Sequence, residues 1–468
     1  QRHHQMSSKV GSGGTTKRRW FQKRIEVKCP KASGRNGTHC YLATTAILRQ
    51  IPEIRSIKSG AINFFLNSPG GSLSVNENAD PTVRTDMDGA MERMCEAGVG
   101  QNGMKDRNLQ RAFKSSLFGQ SLTLPVADGN ILFGTWQGIY LCSWDDDRDD
   151  DGDNGGCPVR KITVTIYHEP SAQVRNVTVK PPERGVHSIT AEIAKGFHLE
   201  TKNGGAKSGK KQKMGQGVLY AMVKHTSASM GLTCVKPQDM KTLDKAFDNV
   251  VPEKWNDEFF IHTYEGPDDM PGHVKSSLFG VATSLPINGG EIDLPENVGL
   301  VLGEHRDVGW GHTRRVVGVK ITDGVIASKE VQISGDDDIK GDISPLIVKA
   351  VTEISSVEAG WCTLIAKGDV TSALTTFPKG SKDDDDDKEI DMAKHFRNLT
   401  SSDTGLAFAG KSLTIPIIDG DLDTREQAIM YLCNSDNLSS NTNQNNKGGV
   451  KTVHVLVLGG KKVKNEHK

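Results

Sequence analysis

The feature that most constrains this chain is that it repeats itself. Lys114-Ser-Ser-Leu-Phe-Gly119, continuing into Ser121-Leu-Thr-Leu-Pro125, recurs as Lys275-Ser-Ser-Leu-Phe-Gly280 with Ser284-Leu-Pro286. A looser version is Gly410-Lys-Ser-Leu-Thr-Ile-Pro416. These stretches read as strands, with the three prolines at equivalent turns. Ile139-Tyr-Leu-Cys142 recurs as Met430-Tyr-Leu-Cys433, and each copy closes on an alternating or apolar strand: Val159 to Ile166, Arg314 to Ile321, Val450 to Val457. Two helices complete each copy. One spans Ala43 to Ile51, Ser188 to Ile193, and the segment from Ser344-Pro345 to Ile354, the last with a serine cap and proline in the first turn. The other carries an apolar stripe: Val83, Met87, Met91 and Met94; then Met240, Leu243, Phe247 and Val250; then Met392, Phe396 and Leu399.

The pattern predicts an α+β chain of three units, each an antiparallel β-sandwich with two helices. They cover 20–170, 171–327 and 328–460, after a disordered tail over 1–19, the third being degenerate and structural. Three tandem copies predict a pseudo-threefold intramolecular trimer, so the chain is expected to be a monomer that forms its own ring. Between the elements lie charged inserts, Asp145 to Asp153, Lys202 to Lys213 and Asp383 to Asp387, which read as solvated loops. Gly204-Gly-Ala-Lys-Ser-Gly209-Lys210 lacks the Ser/Thr of a phosphate-binding loop and precedes a strand-like segment, so it is not one.

Composition narrows the function. The chain balances 58 basic against 58 acidic residues and is only 6% aromatic, which disfavours nucleic acid as a partner. No apolar run approaches the roughly 20 residues a membrane helix needs. Eight scattered cysteines without a Cys-x-x-Cys pair suit free thiols in a reducing compartment, and a cytoplasmic location is expected.

The densest chemistry lies in His262-Thr-Tyr-Glu-Gly-Pro-Asp-Asp-Met-Pro-Gly-His-Val-Lys275. Two histidines, three carboxylates and a lysine fall within one segment, the usual equipment for proton transfer or divalent-metal binding. Gly266-Pro267 and Pro271-Gly272 predict a turn-rich loop rather than a regular helix.

Together with Asn76-Glu-Asn-Ala-Asp80-Pro81, Gly134-Thr-Trp-Gln-Gly138, His225-Thr-Ser-Ala228 and Gly303-Glu-His-Arg306, that loop resembles the YjbQ family, small trimeric proteins also called secondary thiamine-phosphate synthases. The resemblance implies a sandwich fold, trimer-like assembly and polar pockets between units. It also implies an activity, possible as a secondary one, that joins a pyrimidine diphosphate to a thiazole phosphate with release of pyrophosphate, using a divalent metal.

No single copy carries the whole set. The first has Asn76 to Asp80, Arg84 and Thr135-Trp136-Gln137, but Asn67-Ser-Pro-Gly-Gly71 replaces its histidine strand and Met104 to Ala112 its acidic loop. The second has His225, the loop and His305-Arg306, but Thr233-Cys-Val-Lys-Pro237 replaces its Asn-Glu-Asn turn and Pro295 to Gly299 its tryptophan motif. The third shows Val370 near the histidine position and Arg425-Glu-Gln-Ala for the tryptophan motif. Along an extended strand, nine residues between the histidine position and Glu77 span about 30 Å, so unless the chain bends sharply the groups cannot share a pocket within one copy, whereas they could across a boundary between copies. One composite site between the first and second units is therefore expected.

In the motif context Glu77, His225, Glu265 and His273 are assigned to catalysis. His262, Asp268, Asp269, His273, His305 and Asp80 are the candidate metal ligands, for Mg²⁺ if oxygens dominate and Zn²⁺ if histidines do. Asn76, Asn78, Arg84, Thr135, Trp136, Gln137, Ser227, Lys275 and Arg306 are assigned to a small phosphorylated heteroaromatic substrate. Trp136 would stack on its ring, while Arg84, Lys275 and Arg306 neutralise phosphate. The alternative is a catalytically inactive pseudoenzyme serving as a ligand-binding or interaction scaffold.

Overall fold

The computed structural model describes residues 19–30, 39–67, 70–144, 159–201, 215–307, 312–333, 342–367, 373–378, 391–424, 427–432 and 451–462. Val370, Arg425, Cys433, the tail over 1–18 and the three charged inserts lie outside them.

Three large sheets follow one another along the chain. The first orders its strands β1 (Trp20–Lys28), β8 (Val159–His168), β3 (Ser59–Leu66), β5 (Ser121–Ala127) and β6 (Asn130–Ile131). The second runs β9 (Gln173–Val179), β17 (Arg314–Ile321), β12 (Gly217–Val223), β14 (Ala282–Asn288), β15 (Glu291–Ile292) and β11 (Glu200–Thr201). The third is β18 (Val325–Ile333), β24 (Lys451–Lys461), β19 (Val357–Ala366), β21 (Ser412–Ile418) and β22 (Asp421–Leu422). In each, the opening strand pairs with the closing strand, which pairs with the second long strand. The segments bearing them are called first, second and third below. Smaller sheets accompany them: β2 (Cys40–Leu42), β7 (Gln137–Ser143) and β4 (Gly71–Glu77); β10 (Gly185–Ser188), β16 (Val298–Glu304) and β13 (Ala228–Cys234); and the pair β20 (Ala373–Pro378) and β23 (Gln427–Leu432). Among the described strands every pairing is antiparallel except the two-residue β11–β15 contact.

The helices are α1 (Thr44–Leu48), α2 (Pro81–Gly103), α3 (Arg107–Phe118), α4 (Thr190–Gly196), α5 (Pro237–Val250), α6 (Trp255–Glu258), α7 (Asp269–Phe279), α8 (Ser344–Ala350) and α9 (Met392–Thr400). The apolar stripes of α2, α5 and α9 converge in one core, where Phe113 meets Phe396 at 5.4 Å and Phe247 meets Phe408 at 5.2 Å between ring centroids. A second aromatic cluster joins the sheets: Trp20, Tyr167, Tyr220 and Trp361, with Trp361 Nε1 donating to the Tyr220 hydroxyl at 2.7 Å.

Two expectations are corrected. Lys114 to Phe118 and Lys275 to Phe279 are not strands but the last turns of α3 and α7. Leu109, Ala112, Phe113 and Leu117 recur at helical spacing, and Gly119, Gly280 and Gly410 end the three equivalent turns with φ of 79°, 89° and 82°, a conformation open to glycine at no steric cost. These glycines also line a central cavity of about 130 Å³. The prolines do not mark turns either. Pro125, Pro286 and Pro416 sit inside β5, β14 and β21, and their carbonyls accept from Leu132, Asp293 and Asp423 N–H at 3.0, 2.8 and 2.8 Å. A missing N–H is tolerated there because one side of each residue faces a two-residue strand or loop rather than a full partner.

Candidate active site between the first and second segments

β4 carries Asn76 and Glu77 to the end of its pairing with β7, and the chain then turns into α2. Asp80 caps that helix, accepting from Thr82 N–H at 2.7 Å, with Pro81 in the first turn where its missing N–H costs nothing. From the second segment, the stretch after α6 approaches this cap. Its backbone is fixed by Asp86 of α2, whose Oδ2 accepts from Ile261 and His262 N–H at 2.8 and 2.7 Å. From Asp269 onward the predicted loop is helix, because Pro271 lies in its first turn, where proline is compatible with helical backbone. That helix sets Asp269 and His273 one turn apart on one face.

Both histidines are held by residues of the first segment. Asn76 is fully buried; its amide donates to His273 O and Ser277 Oγ, each at 2.8 Å, and its Oδ1 accepts from Glu77 N–H at 2.8 Å. The amide orientation is therefore fixed, so Oδ1 also faces His273 Nδ1 at 2.8 Å as an acceptor. Nδ1 therefore carries a proton, and Nε2 is the ring nitrogen turned to the carboxylates. That Nε2 lies 3.3 Å from Glu77 Oε2 and 3.7 Å from Asp269 Oδ2. His262 repeats the arrangement, with Nδ1 3.1 Å from Asp80 Oδ2 and Nε2 3.0 Å from Asp269 Oδ2. The two rings are 5.6 Å apart at 77°. Glu77, His262 and His273 each present a ligand atom, all within 4.8 Å of one another, and His262, Glu265 and Asp269 do the same.

Charge is concentrated here. Burial would raise Asp269, but hydrogen bonds from His262 and His273 and the charges of His273 and Arg306 hold it well below the ordinary 3.8. Asp80 behaves alike: burial opposes ionisation, yet hydrogen bonds from the exposed Tyr264 hydroxyl, Thr82 and His262 keep it low. His262 loses from burial and gains more from Asp269 and Asp80, ending near 8. Arg306 spreads over three carboxylates, 2.5 Å from Asp269, 3.4 Å from Asp268 and 3.4 Å from Glu265.

His225 lies beside the cluster. Burial, followed by the charges of Arg314, His273 and Arg306, lowers it to about 3, so it is neutral, and its Nδ1 lies 3.2 Å from both Ser227 N and Ser227 Oγ. Gln137 joins the segments by donating to Val223 O and His225 O at 3.0 and 2.9 Å. Asn78 closes the turn on Trp136 O and Gln137 O, leaving Thr135 and Trp136 exposed, Trp136 at 59%. Arg84 lies against Tyr140, whose hydroxyl donates to Glu77 O at 2.6 Å.

Two assigned residues do not join. Lys275, only 1% exposed, pairs with Asp248 at 2.5 Å on the far side of α7. His305 turns its ring to Ser229 Oγ at 2.8 Å and edge-on to Phe247 at 4.7 Å; burial holds it neutral. Consecutive side chains leaving a strand point to opposite sides, so Arg306 can reach the cluster while His305 cannot. Their neighbour Glu304, fully buried, instead grips Arg314 through both oxygens at 2.6 and 2.8 Å. Asp86 and Thr82 escaped the sequence reading. Asp86 had a signal: it is an acid between Val83 and Met87 on the buried stripe of α2.

A tandem α+β chain with a polar site across its first two segments defines the class. Within that class, this chain belongs to the YjbQ family: the family model described as UPF0047 protein YjbQ-like matches residues 31–169 and again 175–324. The UPF0047 protein YjbQ of Escherichia coli O157:H7 is 38% identical over 128 residues, covering 26% of this chain and 86% of that protein. UPF0047 protein YugU of Bacillus subtilis is 35% identical over 96 residues, covering 20% and 70%. The crystal structure of a YbjQ-like protein of unknown function from Sulfolobus solfataricus is similar over 32% of this chain and 98% of its own, at 22% identity and a TM-score of 0.26. Among the described residues no helix is long and apolar enough to cross a membrane.

Proposed function

We propose that this chain is three fused family units closed into an intramolecular ring, with one metal-dependent site of the thiamine-phosphate-forming type between the first two. The ring reading is supported by a contact at each of three boundaries. In the second and third segments the residue whose N–H meets the proline carbonyl reaches the next segment. Asp293 meets Lys367 at 3.1 Å, and Asp423 meets Asn67 at 2.9 Å; in the first segment Leu132 stands at that position, and Gly134 abuts Lys224 so closely that a Cβ would lie 2.8 Å from its carbonyl. Asn67, Lys224 and Lys367 are themselves equivalent, each following its long strand and donating backbone N–H to the closing strand or its flank. The order first to second, second to third, third to first closes a circle.

The observation that carries the site reading is the orientation of the two histidines. Each has Nδ1 anchored on an oxygen from the first segment, and each presents Nε2 toward Asp269, with Glu77 alongside. Ligating histidines in metal sites are held in this manner, and two imidazoles with two carboxylates suit Zn²⁺ or a similar ion better than Mg²⁺. Such a cation would supply Lewis-acid neutralisation of a diphosphate. The residues present call for it: Glu77, Asp80, Glu265, Asp268 and Asp269 outnumber Arg306 and protonated His262, so an anionic substrate is repelled until a cation is added. Exposed Trp136 and Tyr264 (59% and 69%) flank the Asn76–Asp80 turn and offer faces for heteroaromatic rings. In the reaction the pyrimidine methylene–oxygen bond breaks with its electron pair leaving on diphosphate, and the thiazole nitrogen lone pair forms the new C–N bond.

The test is calorimetric titration of Zn²⁺ and Mg²⁺ into chelator-treated protein, with chromatographic assay of thiamine phosphate formed from the two precursors. Glu77→Gln and His273→Ala, in different segments, should each abolish metal binding and turnover, and His225→Ala should impair turnover. Unchanged behaviour of Glu77→Gln would defeat the shared site. Metal binding without turnover would favour a ligand-binding scaffold.

A further inference from the structure

The geometry points to Cys40 and Cys142 as a dithiol that a peroxide converts into a reversible cross-strand disulfide. The two residues stand directly opposite on β2 and β7, both fully buried, with Cys142 Sγ 3.0 Å from Cys40 Sγ. Their register is the favourable one. Ser143 N–H donates to His39 O at 2.9 Å, so the adjacent pair, Cys40 with Cys142, occupies a non-hydrogen-bonded position. There Cα atoms approach to about 4.5 Å and side chains lie closest, within the range a disulfide spans.

Access comes from the edge of the sheet. β2 is a three-residue outer strand, its last residue Leu42 is 38% exposed, and among the described strands it pairs with β7 alone. Short edge strands open locally at a fraction of the global unfolding free energy. While docked, Cys40 is held protonated by its contact with Cys142 and by burial, so the chemistry belongs to the opened strand. One thiolate attacks a peroxide oxygen, giving a sulfenic acid and releasing the other oxygen as water or alcohol. The second thiol then attacks that sulfur, forming the S–S bond and releasing water. β7 is the central strand of its sheet: its far end carries Gln137, which holds His225 O, and it pairs with Asn76 and Glu77 of β4. Oxidation would thus tie down the sheet that presents the first segment's half of the site.

The experiment treats the full chain with hydrogen peroxide, then denatures it in iodoacetamide and maps peptides by mass spectrometry. Reduced protein has eight cysteines to alkylate; oxidised protein should take six labels and yield one Cys40–Cys142 linked peptide, lost after dithiothreitol. The thermal midpoint should rise by several degrees on oxidation of the wild type, and neither in Cys142→Ala nor in Cys40→Ala. Eight labels after peroxide, a bridge to a different cysteine, or over-oxidation of either thiol in place of the bridge would overturn the inference.

Discussion

Replacing Asn76 by alanine tests the orientation of His273 most directly. The side chain satisfies His273 O, Ser277 Oγ, Glu77 N–H and His273 Nδ1 in a fully buried setting. A buried group left without a partner costs about 1–3 kcal/mol. Ser277 can turn to Ser74 Oγ, 3.0 Å away, and Glu77, only part-buried, can turn its N–H to water, so His273 O and Nδ1 are the principal losses, and a destabilisation of about 2–6 kcal/mol follows. Freed of its acceptor, His273 loses both its ring orientation and its tautomer, and loss of such an outer partner lowers metal affinity about 10–100-fold. Asn76→Asp separates the two effects. It keeps the acceptor for Nδ1–H while removing both N–H donors, so it should lose stability yet hold or raise Zn²⁺ affinity. Thermal midpoints and competition against a chromogenic zinc chelator provide the readouts. If a folded Asn76→Ala binds zinc as well as wild type, or if Asn76→Asp loses affinity equally, the orientation argument is refuted.

Two further outcomes are specific. His262 is raised from 6.5 to about 8 in the folded state; a raised value means its contribution is complete below 6.5 and lost as pH rises through about 8, and the shift corresponds to about 2 kcal/mol. Metal-free wild type should therefore exceed His262→Gln in thermal midpoint at pH 6, with the gap narrowing by pH 9.5; a constant gap would exclude a charged His262. Lys275→Met should lower the midpoint by removing one of the two cations that pair with Asp248, the other being Arg184 at 2.8 Å, while zinc affinity stays at the wild-type value; a selective loss of zinc or phosphate binding would return Lys275 to the site.

What the sequence disclosed follows from how locally each feature is encoded. The stripes of α2, α5 and α9 were legible because apolar spacing and burial are the same fact seen twice. The meeting of Glu77 with His273 was legible from complementary losses, since neither motif is complete in its own segment. The helix at Asp269 was hidden because Pro271 and Gly272 resemble breakers unless the helix start is known. The facing of His305 and Lys275 depends on where a strand ends and which side of α7 meets α5. Those are tertiary facts with no signature in residue type.

On the reading of three fused units, the distribution of polar contacts has a physical logic. Where the second segment meets the third, Asp293 faces Lys367 and lies 3.5 Å from His454; where the third meets the first, Asp423 takes Asn67, Thr163 at 2.6 Å and Arg24 at 3.3 Å. At the first-to-second boundary the equivalent position is Leu132, packed on the sheet core. In a homotrimer each boundary must use one sequence, so an acid that pins the subunits would also stand at every boundary that bears a site. Fusion removes that constraint. Two boundaries can carry buried ion pairs that fix register, which depend on complete pairing to be tolerated. The boundary bearing the histidines keeps leucine at that position, so no further carboxylate is added there to compete for a cation. Introducing Leu132→Asp should therefore weaken zinc binding at the histidines without a matching loss at the other two boundaries. An unchanged zinc affinity in a folded Leu132→Asp protein would show that this position and the site are independent.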